Sequence, residues 1–103
     1  MFIVYSHNKI PIRLTEERWR HICERHPEMF AQQEQVLETI SSPDMILEGD
    51  YGELLAVRHY AYMPLTSKYL VAAYKEIEDK DGFLLTPYFS SRTSTSRTVL
   101  WKH

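Results

Sequence analysis

The spacing of apolar residues along this chain changes from helical to strand-like near Pro43. Before it, Trp19, Ile22, Cys23 and His26 recur at i, i+3, i+4 and i+7, the spacing of one buried stripe on a helix. Thr15 ahead of Glu16-Glu17 suits an N-cap followed by acidic residues at the positive end of that helix. Pro27 disfavours helical geometry at His26 and ends it. A second helix is predicted from about residue 28 to residue 40, with Met29, Phe30, Val36, Leu37 and Ile40 as its apolar side and Ser41-Ser42-Pro43 as its close. Ahead of both helices, residues 2–5 and 9–14 read as short extended pieces around a Ser-His-Asn turn. Pro11 makes the second piece an edge or a lead-in.

After Pro43 the texture is that of strands. Residues 45–47 form one strand, residues 48–52 a turn, and residues 54–60 a second strand. A loop over residues 63–66 leads to a strand at 68–77 that is dense in Tyr, Leu and Val. Asp79-Lys80-Asp81-Gly82 is a hairpin turn, and residues 83–89 complete the sheet. A tail rich in Ser, Thr and Arg ends at Trp101. The predicted fold class is therefore α+β, with two N-terminal helices packed on one face of a four-stranded antiparallel sheet, as a single domain over residues 1–103.

Composition narrows the function classes. A chain of 103 residues supports one core and not two. Its apolar runs are far shorter than the ~20 residues of a membrane helix, and Phe2-Ile3-Val4-Tyr5 lacks the basic lead of a secretory signal. Cys23 is the only cysteine, so no intrachain disulfide forms and a cytoplasmic home is expected. The glycines match neither phosphate-binding pattern, and no cofactor is expected. Cys23 and His26 have no second ligand cluster to complete a four-ligand zinc site, so a metal is not expected either.

Net charge is −2, but the average hides segregation. Residues 27–57 carry seven acids and no Lys or Arg, whereas residues 83–103 carry Arg92, Arg97 and Lys102 and no acid. The basic end is a candidate anion site.

The sharpest local feature is His21-Ile-Cys-Glu-Arg-His-Pro-Glu28. At about 100° per residue, Arg18, His21 and Arg25 share a narrow sector of the first helix, away from the Trp19/Ile22/Cys23 stripe. Flanking guanidiniums favour a neutral imidazole, the form a general base needs, and they also suit a phosphodiester. The plainer alternative is a solvated face with Glu17 pairing His21 at i+4. His26 extends the apolar stripe and reads first as a capping or core-edge residue. On the last strand Thr86 and Tyr88 share a face, and on the second strand Arg58 shares one with Leu54 and Ala56. Should the polar faces meet, His21, Arg58, Thr86 and Tyr88 would surround one cleft; ordinary half-exposed strand residues are the alternative. Pro87 points to an edge strand or a bulge. In the tail, Arg92 and Arg97 among hydroxyls read either as a phosphate-gripping segment or as a mobile terminus ordered by the docking of Trp101.

Three segments carry a family resemblance: Ile-Arg-Leu-Thr-Glu-Glu-Arg-Trp-Arg-His-Ile-Cys-Glu-Arg-His-Pro-Glu-Met (12–29), Ser-Ser-Pro-Asp-Met-Ile (41–46) and Phe-Leu-Leu-Thr-Pro-Tyr (83–88). The chain resembles the phage-type barnase/EndoU/colicin/RelE-like (PBECR-like) nucleases over about residues 13–101. That resemblance implies a RelE/barnase-like fold and a metal-independent, toxin-like ribonuclease. By position it assigns the family's helix histidine and arginine to His21 and Arg25, its second histidine to His26, and its strand threonine and tyrosine to Thr86 and Tyr88. Pro87 stands where relatives more often carry a small residue.

The expected activity is endoribonucleolytic. His21 takes the proton of a ribose 2′-hydroxyl, which attacks the adjacent phosphorus. Arg25 and Arg58 stabilise the phosphate charge, and Tyr88 or His26 assists the leaving oxygen. Arg18, Arg92 and Arg97 bind RNA. The alternative is a non-catalytic RNA- or protein-binding module. A third reading has the acidic middle dock a basic partner such as an antitoxin.

Overall fold

The computed structural model describes residues 1–61 and 69–103. The expected loop at 63–66 and the first residue of the expected strand, Lys68, lie outside the described residues. The described residues contain two helices, α1 (Glu16–Arg25) and α2 (Gln33–Ser41), with a 3-10 turn over Pro27–Met29 between them. Seven strands accompany them: β1 (Phe2–Tyr5), β2 (Pro11–Leu14), β3 (Met45–Glu48), β4 (Leu54–His59), β5 (Tyr69–Glu78), β6 (Asp81–Ser90) and β7 (Val99–Lys102). They form one sheet in the order β1-β2-β6-β5-β4-β3-β7.

This overturns the expectation of a four-stranded antiparallel, RelE/barnase-like sheet under two helices. The sheet has seven strands, it is mixed, and strands rather than helices dominate the chain. The β3–β6 meander is antiparallel throughout. The three additional strands come from both ends of the chain. Ser6 and Ile10 close a turn in which Lys9 takes a positive φ of 67°, and this turn pairs β1 with β2 as a hairpin. β2 then joins β6 in parallel at Arg13 and Phe83. Bidentate hydrogen bonds fasten that junction, from Arg13 Nε and Nη2 to Asp81 Oδ1 and Oδ2 at 2.7 and 3.0 Å. Close approach here needs Gly82, where a Cβ would fall 2.6 Å from both Ile12 Cδ1 and the Lys75 carbonyl oxygen.

The helices follow local chemistry closely. Thr15 caps α1, its hydroxyl accepting from the Arg18 amide at 3.1 Å. The predicted second helix is split: Pro27 starts a 3-10 turn that buries Met29, and α2 begins only at Gln33. Phe30, expected on the apolar side, falls in this break and is 79% exposed. Val36 and Ile40 of α2 pack with Ile22 of α1 against Ala56, Leu70, Ala72 and Tyr74 of the sheet.

The opposite sheet face is covered too. Leaving β6, residues 91–98 cross the sheet to reach β7, running over Leu47, Leu55, Val57 and Val71, all at most 6% exposed. The tail thus lies as a strap along this face. Asp50 accepts from Arg97 Nη1 and Nη2 at 2.9 and 3.2 Å and pins it. Cover on both faces explains why Leu70 to Tyr74 is an unbroken buried run, since each strand face has its own apolar contacts. Trp101 docks through His7 of the β1–β2 turn, the ring centroids 4.1 Å apart, so the hairpin at one end of the strand order reaches the strand at the other.

Candidate functional site

Beyond Phe83, β6 has no strand partner on its β2 side among the described residues, because β2 turns away into α1. The space so left is a groove of about 670 Å³ between α1 and the outer edge of β6. Two sequence features shape it. The β6 register shifts between the Tyr74–Leu84 and Ala73–Thr86 pairs, so Leu85 is an extra residue in a β-bulge. Pro87 follows on the free edge, where its missing N–H is not called on. Bulges re-aim side chains; here Leu85 and Thr86 both line the groove.

From α1 come Arg18, His21 and Arg25, the i, i+3, i+7 sector expected from spacing, together with Glu17. His26 closes the same groove. Its backbone N–H caps α1 through the Ile22 carbonyl at 2.7 Å, but its ring does not cap: Nδ1 lies 3.3 Å from Glu28 Oε1 and the side chain is 37% exposed. His21 is flanked by carboxylates as well as guanidiniums, with Glu17 Oε1 at 3.8 Å and Glu24 Oε2 at 3.9 Å. The expected surround of arginines alone is therefore incomplete. The groove still carries two guanidiniums and two imidazoles against the single lining carboxylate of Glu17. Cys23, also on α1, does not line the groove; it is half-buried, and burial pushes its thiol up, away from the thiolate form.

Other residues read from the sequence lie elsewhere. Arg58 is on the helix-covered face, bonded to the Ser42 carbonyl, 3.4 Å from Glu38 Oε1 and stacked over Tyr60. It ties β4 to α2 and does not line the groove. Tyr88 shares the face of Thr86 but opens on a second cavity of about 250 Å³ beneath the strap, with Arg92 and Arg97 at its rim. The single cleft expected from His21, Arg58, Thr86 and Tyr88 is thus three separate places. Two contributors were missed in the sequence. Glu28 was legible in principle, two residues past His26 across a proline turn; for the bulge, Pro87 was the local signal, but it did not place the extra residue at Leu85.

Among the described residues, no three His, Cys, Asp or Glu side chains converge as metal ligands, and no helix is long and apolar enough to cross a membrane. Fold and site together define a small α+β domain with a groove at a sheet edge lined by two arginines and two histidines. No family model, curated protein or solved structure matches the chain.

Proposed function

We propose that the α1–β6 groove cleaves RNA without a metal, as a toxin-like endoribonuclease. The observation that carries this reading is the joint lining of one groove by His21, His26, Arg18 and Arg25. Paired imidazoles supply a general base and a general acid, and paired guanidiniums bind the phosphate between them. His21 takes the proton of a ribose 2′-hydroxyl, and the O2′–phosphorus bond forms as the phosphorus–O5′ bond breaks. His26 gives its proton to the departing O5′, leaving a 2′,3′-cyclic phosphate and a 5′-hydroxyl. Arg25 and Arg18 stabilise the charge on the phosphate oxygens, and the Thr86 hydroxyl donates to one of them. Glu28 orients the His26 ring. Tyr88 and Arg58 take no part in the chemical step, because they do not line this groove.

Cleavage of labelled RNA in excess chelator tests the proposal. His21→Ala loses about 10²- to 10⁴-fold in rate, the usual worth of a general base, while retaining most RNA affinity. Cleavage that appears only on adding a divalent ion rejects the mechanism. RNA binding without cleavage by the unaltered protein rejects catalysis and leaves the binding-module reading.

A further inference from the structure

The strap conflicts with what it covers. Residues 90–98 read Ser-Ser-Arg-Thr-Ser-Thr-Ser-Arg-Thr, with no apolar side chain, yet they roof Leu55, Val57 and Val71, all of them buried. A strap serving only to close a core would carry apolar residues inward, and a mismatch between local chemistry and packing marks a functional site. Between roof and floor lies the cavity of about 250 Å³. Drug-sized ligands occupy roughly 300–1,000 Å³, so this space suits one planar ring system.

We propose that this cavity is a nucleobase subsite, holding one base of the RNA strand whose phosphate lies in the α1–β6 groove; the inference rests on the RNA reading above. The aliphatic floor accepts a flat ring. Tyr88, 39% exposed at the rim, offers a face for stacking, which serves any base. The two strap arginines have different tasks. Arg97 is occupied by Asp50 and fastens the strap, whereas Arg92 is exposed and has no carboxylate at ion-pair distance among the described residues. Residues 83–103 contain no acid to compete for it, so Arg92 holds the phosphate attached to the base. Position links the cavity to the groove. Thr86 of the groove and Tyr88 of the cavity are two residues apart on one face of β6, paired with Ala73 and Val71. At about 3.3 Å per residue, that is a separation of ~7 Å, a step short enough for one nucleotide to span.

The test is titration of the isotope-labelled chain with each of the four nucleoside 5′-monophosphates, the matching nucleosides and inorganic phosphate, followed by amide shifts. The expected result is that at least one nucleotide shifts Val71, Tyr88 and Arg92. Phosphate alone binds there at least tenfold more weakly. Arg92→Ala weakens the nucleotide about tenfold but not its nucleoside, and Val71→Phe, which fills the cavity, abolishes both. The proposal is overturned if no nucleotide shifts these amides, if the shifts fall only on α1, or if Arg92→Ala, an exposed change that leaves the core intact, binds nucleotide as tightly as the parent. Failure of the two readings is distinguishable. Nucleotide binding in the cavity without RNA cleavage retains the subsite and rejects the nuclease. Cleavage with no nucleotide in the cavity does the reverse.

Discussion

Arg13 and Asp81 join the parallel β2–β6 pair through two hydrogen bonds, at 2.7 and 3.0 Å. The Arg13 hydrogen bond and charge hold the Asp81 carboxyl below its ordinary value of 3.8, against the opposing effect of partial burial. Because the folded value is depressed, its stabilisation is complete above that ordinary value and is lost as pH falls through the folded one. Thermal unfolding from pH 6 to pH 2 should therefore show a decline that Asp81→Asn flattens. An equal acid decline in the variant would assign the effect to other carboxylates.

Tyr60 behaves in the opposite sense. Burial first, then its hydrogen bond to Glu38, pushes its phenol up to about 12, with Oη donating to Glu38 Oε1 at 2.5 Å. A raised folded value means that its contribution is complete below the ordinary 10 and is lost between there and about 12. Ultraviolet titration should find a late phenol that is missing in Tyr60→Phe. The variant should cost about 1–2 kcal/mol near neutrality, from the lost hydrogen bond and the acceptor left behind.

Trp101→Ala removes the ring on which His7 rests. For a half-buried tryptophan the loss is about 2 kcal/mol, roughly half that of a fully buried one. Hydrogen exchange should quicken not only in β7 but at the amides of Ser6 and Lys9 in the distant turn. Quickening confined to β7 would show that the two edges are not coupled.

On the proposed mechanism the two imidazoles act as base and acid, so His21→Ala and His26→Ala should each slow cleavage by about 10²-fold or more. Glu28→Gln leaves both rings in place but takes the negative charge from the His26 partner at 3.3 Å. Cleavage kinetics should then show kcat lowered severalfold with KM held, the pattern of a positioning residue. A rise in KM alone would place Glu28 in substrate binding instead.

Much of the local structure was legible in the residues. Thr15 and Pro27 bound α1 because capping and proline sterics act within one turn of chain. Arg18, His21 and Arg25 come together because helical periodicity alone sets their spacing. Less visible was the extent of the sheet. β2 and β7 are four-residue strands that pair with the distant β6 and β3, and a Ser/Thr/Arg-rich tail carries no pattern saying that it will cross an apolar face. The unbroken run from Leu70 to Tyr74 was the available sign that both faces would be covered.

The sequence by itself determined the first helix, its cationic sector and the antiparallel meander, since each depends on interactions between residues near one another in the chain. Only the tertiary structure decided that the sheet has seven strands, that Arg58 ties β4 to α2, and that Thr86 and Tyr88 open on separate cavities. Those outcomes rest on strand register and on the route of the strap. Both are set by packing between distant segments, which no local spacing encodes.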